Sequence, residues 1–253
     1  TVMKKVKLKY GKTELEIELP EHAEILTPKL KPPDQDELEI LNTALDNPID
    51  SQKLENFLQK DDKVLIIVPD KTRKSRVDFI LKSILTRIKN DNIKFLFANG
   101  THAKQTENEK REILSDEIYD KFEVFENDAW SDDFIYFGKT KFGTEVFLNK
   151  LVSEADKILL IGSITHHYSA GFGGGAKLLV PGVASYKTAI QNHKLTLTQD
   201  GDINPNATNL KLEGNPVYED IIEAFKLCRL KVVHLGVVLD ETDKIVGAFF
   251  SAM

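Results

Sequence analysis

Val64-Leu65-Ile66-Ile67-Val68-Pro69-Asp70-Lys71-Thr72-Arg73 is the stretch from which the fold is read. Its first five residues are apolar without alternation, and four of them are β-branched, as a strand covered on both faces requires. The run then breaks at Pro69 into a charged loop. Beyond the loop, Val77, Ile80, Leu81, Ile84, Leu85 and Ile88 recur at helical spacing, and Ile93 to Ala98 forms a second apolar run. Strand, polar loop, helix and strand make one unit of a parallel sheet.

Working outward, the same alternation continues. A helix is expected near Glu107 to Leu114, a strand near Phe122 to Phe125, and a small hairpin pairing Phe134–Phe137 with Glu145–Leu148 across Gly138 to Gly143. A strand over Lys157 to Ile161, a helix from Pro216 to about Leu227, a strand from Lys231 to Leu239 and a return strand from Ile245 to Phe250 complete it. The expected class is α/β: a mostly parallel Rossmann-like sheet with helices on both faces. Before it, Val6 to Leu19 alternates around Tyr10-Gly11-Lys12, the pattern of a β-hairpin with one buried face. Pro20 to Pro33 reads as an extended arm. Two short helices are expected between Asp34 and Gln59, with Asp34 and either Asp50 or Ser51 as caps. The domain reading is therefore residues 1–60 as hairpin, arm and helices packing on the main domain, and residues 61–253 as an α/β cofactor-binding domain. Ser251-Ala252-Met253 follows an apolar strand directly, which reads as a cut within a longer chain.

Composition narrows the function. The 253 residues are 41% hydrophobic and 29% charged, ordinary for a globular protein. A formal net charge of −6 argues against a nucleic-acid partner, since phosphate contacts need clustered cations. No apolar run reaches the ~18–20 residues of a membrane span, and the amino-terminal residues contain no signal-peptide core. The single cysteine, Cys228, excludes an internal disulfide and a multi-thiolate zinc site, so a reducing cytoplasm is expected.

In open α/β sheets, ligands bind beyond the carboxyl ends of the strands. Val64–Val68 leads into Pro69-Asp70-Lys71-Thr72-Arg73, and Ile93–Ala98 into Asn99-Gly100-Thr101-His102. Lys157–Ile161 leads into Gly162-Ser163-Ile164-Thr165-His166-His167 and on to Gly171-Phe172-Gly173-Gly174-Gly175-Ala176-Lys177. The glycine segment has the makings of a phosphate cradle completed by a lysine. It is neither a P-loop, lacking the Gly-Lys-Ser/Thr ending, nor the dinucleotide fingerprint. Glycines kept only for tight packing are the plainer reading of such a cluster. Four histidines fall in or near these loops: His102, His166, His167 and His193. Two of them facing one cleft would suit a reaction needing two bases near neutral pH. His22 and His234 are given structural roles. Asp70 and Arg73 could form a surface ion pair, or Arg73 could clamp a carboxylate with its guanidinium.

Together these motifs, with Pro181-Gly182, Asn192-His193 and Gly214-Asn215-Pro216-Val217, resemble the nickel-dependent lactate racemase family. The resemblance runs from about the first hairpin to the end and covers the amino-terminal domain only; a second, carboxy-terminal α/β domain follows in the family and is absent here. It implies a nickel pincer nucleotide (pyridinium-3,5-bisthiocarboxylic acid mononucleotide with nickel) joined to Lys177 through a thioamide, with His193 as the remaining nickel ligand. By the same resemblance, the nucleotide phosphate would sit near Asp70, Thr72 and the turn Gly173, Gly174, Gly175. The resemblance also implies that hydride would leave and return at C2 of a 2-hydroxy acid, that His102 and His167 would exchange the hydroxyl proton, and that Arg73 would fix the carboxylate. The implied partners are a small 2-hydroxy acid, the second domain, and the proteins that make the cofactor, without which Lys177 stays unmodified. The lactate enzymes commonly carry arginine where this chain has Ala103 and Ala176, a departure that points at least as much to another 2-hydroxy acid as to lactate itself. The alternative is a non-catalytic nucleotide- or phosphate-binding α/β domain. A purely structural domain leaves the loop motifs unexplained.

Overall fold

The computed structural model describes residues 2–11, 13–26 and 35–253. It divides into two compact units, residues 1–31 and 32–253. The first contains the expected hairpin: β1 (Met3–Tyr10) pairs antiparallel with β2 (Thr13–Pro20), placing Val6 opposite Ile17 and Leu8 opposite Leu15. Lysines and glutamates occupy the other face, where Lys5 reaches Glu16 at 2.9 Å and Lys7 reaches Glu14 at 3.5 Å. On the face expected to be buried, Val6, Ile17 and Leu19 are partly buried. Leu8 and Leu15 remain 49% and 48% exposed, because no helix or second sheet covers that face among the described residues of this unit. The part of the arm beyond Leu26, and the expected cap Asp34, lie outside the described residues.

Helices α1 (Glu37–Asp46) and α2 (Leu54–Phe57) belong to the second unit, since Leu41, Leu45 and Leu54 are fully buried in the same core as Ile66 and Ile80. Asp36 caps α1, its carboxylate accepting from the N–H groups of Leu38 and Glu39. Lys53 precedes α2 without a side-chain cap, so neither Asp50 nor Ser51 has that role.

The central sheet has six strands. Their order is β12 (Ile245–Ala252), β11 (Val232–Leu239), β8 (Lys157–Ser163), β3 (Val64–Pro69), β4 (Ile93–Ala98) and β5 (Glu123–Glu126). All neighbours are parallel except β11 and β12. The period of two along β3 divides its side chains between two cores. Val64, Ile66 and Val68 pack with α1, α2, α3 (Val77–Ile84), α4 (Glu107–Leu114) and α5 (Asp116–Lys121). Leu65 and Ile67 face a second layer made of the hairpin β6–β7 (Phe134–Lys139, Glu145–Asn149), α6 (Lys150–Glu154) and α8 (Pro216–Leu227). Helix α3 ends four residues before Ile88. Helix α8 begins as read, with Asn215 as cap and Pro216 in its first turn. No helix among the described residues is long and apolar enough to cross a membrane.

Candidate active site

Strands β3, β4 and β8 end side by side, Pro69 pairing with Ala98, and their loops close over one cavity of about 330 Å³. Asp70, Arg73, His102, His167, Gly173, Gly174, Lys177 and His193 all line it. His193 arrives on an element that the sequence did not announce, α7 (Tyr186–His193), capped by Ser185. The neighbouring Asn192 is fully buried and donates to Val217 O (3.1 Å) and Asp220 Oδ2 (2.8 Å). Asp220 also accepts from Thr140 and Thr144, which ties the last turn of α7 to α8 and to the β6–β7 turn.

Asp70 is buried and fully engaged. One carboxylate oxygen accepts from Thr72 N–H (3.1 Å) and Thr72 Oγ1 (2.6 Å), and the other lies 2.6 Å from His102 Nδ1. It therefore pairs with His102 rather than Arg73. The loop carrying His102 is braced by Glu126, which accepts from Asn99 Nδ2 and Gln105 N–H and pairs with Lys110. Gln105 in turn accepts from Lys71 N–H. Burial opposes the charge of Glu126, but these donors outweigh it and hold the carboxyl below its usual range. In the basic run, Lys71 pairs with Glu109, Lys74 with Asp243 and Arg76 with Glu37, while Arg73 faces the cavity.

The glycine-rich segment makes several hydrogen bonds of its own. Gly173 N–H donates to Thr165 O (2.7 Å), Gly175 N–H to His234 Nε2 (3.3 Å) and Lys177 N–H to Gly174 O (3.2 Å). Two of the three turn amides expected near a phosphate, those of Gly173 and Gly175, therefore donate within the chain. Gly174 has φ +82°, and a Cβ there would stand 2.6 Å from the Ser163 carbonyl oxygen. Glycine is needed so that the turn can lie against the end of β8. Gly175 lines a separate pocket behind the turn, together with Phe172, Ile221 and His234. Thr72 is absent from the cavity lining and serves as a brace for Asp70. His166 is absent too; its ring packs edge-on against Phe172 at 5.7 Å.

Burial, aided by the Arg73 charge, pushes the Lys177 amine down to about 8. His167 is pushed down to about 4, first by burial and then by the charges of Lys177, Arg73 and His193. Burial and Lys177 also lower His193. His234, expected to be merely structural, is pushed to about 4 by burial and touches the turn that carries Lys177. A histidine within the apolar strand Val232–Leu239 was the available signal. The amine, the imidazoles and the Asp70–His102 pair can bind an anionic substrate, move a proton and hold an electrophilic group.

A sequence profile of the lactate racemase N-terminal domain matches residues 10–203. The chain belongs to that family. It is 32% identical over 256 residues to the lactate racemase of Thermoanaerobacterium thermosaccharolyticum, covering 98% of this chain and 59% of that protein. It is also 32% identical over 222 residues to the lactate racemase of Lactiplantibacillus plantarum, covering 86% and 51%. The chain thus spans little more than half the length of these relatives. The structure of the Thermoanaerobacterium lactate racemase apoprotein superposes with a TM-score of 0.83 at 30% identity, covering 98% of this chain and 59% of that one. A Thermotoga maritima protein shares the fold alone, with a TM-score of 0.65 at 20% identity over 87% of this chain and 56% of its own. Ala103 and Ala176 do not line the cavity. Ala176 is buried behind the turn.

Proposed function

We propose that this domain is the cofactor-holding part of a racemase or epimerase of a 2-hydroxy acid, lactate or a close relative, working with a nickel pincer nucleotide attached to Lys177. One observation carries the reading. A lysine poised to lose its proton, a histidine from another helix and a carboxylate–histidine pair meet in one cavity at the strand tips.

The residues fit such a group. Among the described residues no cluster of three or more histidine, cysteine or acidic side chains could hold a metal. A metal here must bring most of its own ligands, leaving one place for His193, whose depressed proton affinity favours the neutral, ligating imidazole. An amine lowered to about 8 is available for acylation near neutral pH, as an ordinary lysine is not. When bound, the pincer would take up the C2 hydrogen of the substrate as hydride and give it back. The chain's own part is to seat the substrate carboxylate on Arg73, to remove and restore the hydroxyl proton at His102, and to set His167 against the substrate from another loop. A positioned base contributes roughly 10²–10⁴ in rate. The remainder of the protein, represented in the longer relatives, supplies further substrate contacts, and proteins that build the cofactor are required partners. With its lone cysteine buried and reduced, the protein is assigned to the cytoplasm.

A phosphate-binding module is the weaker reading, because it gives the lowered Lys177 amine and His193 no shared purpose in the cavity. Intact-mass and peptide mass spectrometry after co-expression with the cofactor-synthesis proteins and nickel tests the proposal. A mass addition on Lys177, absent without those proteins, is expected. An unmodified Lys177 under both conditions would refute it.

A further inference from the structure

The two cavity histidines are held by different means. His167 sits in a local ladder, where β9 (His166–His167) pairs antiparallel with β10 (Gly171–Phe172). The loop that carries His102, from Asn99 to Gln105, contains no strand or helix. None of Thr101, His102, Ala103 and Lys104 is buried, so no apolar anchor fixes the imidazole. Lys104 reaches Asp128 at 2.8 Å, but the lysine is exposed and such a pair contributes little. The hold comes from the two ends of the loop. At its start, the buried Asn99 donates from Nδ2 to Glu126 Oε1 at 2.5 Å. At its end, Gln105 N–H donates to the same oxygen at 2.6 Å. Glu126 is the last residue of β5, and its other oxygen pairs with Lys110 of α4 at 2.8 Å. The buried Gln105 side chain extends the chain of contacts, its Oε1 accepting from the N–H of Lys71 (2.8 Å), the residue after Asp70. The loop after β4 is thus tied to the loop after β3 where His102 Nδ1 meets Asp70 Oδ2 at 2.6 Å.

We propose that Glu126 is a positioning residue for the base His102: it staples both ends of the loop that carries the imidazole and, through Gln105, sets that loop against the strand end that carries Asp70. Neither Glu126 nor Gln105 lines the cavity, so both act through the loop rather than on the substrate. A fourth strand, β5, thereby takes part in a site lined by the ends of three others. Removing the carboxylate would leave the buried Asn99 and Gln105 donors without their charged acceptor, and the loop would lose both of its fixed ends. The consequence falls on the ring. Because an ionised carboxylate only accepts, contact with Asp70 puts the proton of the neutral His102 ring on Nδ1 and leaves Nε2 its lone pair, as a base requires. An imidazole freed from Asp70 has no such restriction, so its tautomer reports whether the two loops are in register. The role in turnover rests on the racemase reading, whereas the placement of His102 against Asp70 belongs to the chain itself.

Long-range proton–nitrogen NMR on the chain labelled with 15N-histidine reads the ring tautomers at mildly alkaline pH, with a His102→Gln spectrum assigning the signals. The parent should show His102 protonated on Nδ1. Glu126→Ala should populate the Nε2–H form of His102 while the His167 signals stay in place. Glu126→Gln keeps the Oε1 acceptor and should restore the parental pattern. A folded Glu126→Ala chain with the parental His102 tautomer overturns the proposal. Should that variant fail to fold, Gln105→Met decides, because it fills similar space but offers Lys71 N–H no acceptor. Loss of the Nδ1–H preference in it supports the proposal, and a parental spectrum overturns it. In the cofactor-loaded holoenzyme, kcat of Glu126→Ala should fall by ~10–10²-fold, the scale of an ångström-level misplacement, with KM within about 2-fold of the parent. A raised KM at unchanged kcat overturns the proposal. A parent chain that never acquires cofactor on Lys177 would sink the racemase reading alone, since the NMR result does not depend on cofactor.

Discussion

Lys177 occupies the least comfortable position in the site, and its discomfort is measurable. Its amine is pushed from the ordinary 10.5 to about 8, chiefly by burial, a gap equivalent to about 3 kcal/mol. The sign follows from which state binds the proton more tightly. Below pH 8 the folded chain must keep an ammonium in a poorly solvated place, a cost that fades as pH rises from 8 towards 10.5. Lys177→Met should therefore raise stability near pH 7 by up to about 3 kcal/mol, and the gain should shrink by pH 10, as read from urea midpoints. A variant no more stable than the parent at pH 7 would mean that Lys177 is well solvated. Asp70 makes the opposite case of a satisfied charge. Asp70→Asn leaves His102 without its orienting carboxylate and should lower turnover of the loaded enzyme by ~10²-fold or more, with His102 losing its Nδ1–H preference in NMR.

At the scale of elements, the turn from Gly173 to Lys177 shows how packing decides chemistry. Gly174→Ala would put a methyl group 2.6 Å from the Ser163 carbonyl oxygen at a φ of +82°. A loss of about 1–3 kcal/mol is expected, with a weakened amine-labelling signature at Lys177 because the turn that carries it must move. A variant with parental stability and labelling would show that the turn is looser than drawn. Helix α4 is a cleaner measure of local sequence. Thr106 and Glu109 form a reciprocal capping box, so Thr106→Ala should cost ~1 kcal/mol without changing the denaturant slope. That box was readable from Thr-Glu-Asn-Glu in the sequence. Helix α7 was not, since its pattern is weakly amphipathic and its hold on the fold comes from distant Asp220.

For the molecule as a whole, acid is the expected weak point. His167 and His234 are both pushed from 6.5 to about 4, with burial the leading cause. Above pH 6.5 both folded and unfolded chains hold them neutral. Between 6.5 and 4 the unfolded chain takes up protons that the folded one refuses, so stability falls across that window. His234→Gln removes one of the two groups while offering an oxygen to Gly175 N–H, and urea midpoints from pH 6.5 down to 4 should fall less steeply for it. The division into units gives a second test at this scale. The core of residues 32–253 is closed by its own helices, so removing residues 1–31 should leave its cooperative thermal transition in place.

The order of strands and helices and the delivery of three polar loops to one sheet edge were legible in the chain, because periodicity and strand-end chemistry are set by neighbours in sequence. So were Lys177, His193, His102, His167, Asp70 and Arg73 as residues of one cavity. Tertiary structure alone decided which amides of the glycine turn were already spent, that Leu41 and Leu54 sit with Ile66 in one core, and that His234 lies under the turn. Those properties depend on atoms far apart in sequence that meet only after the sheet has formed, where burial and hydrogen-bond partners fix the energy of each charge.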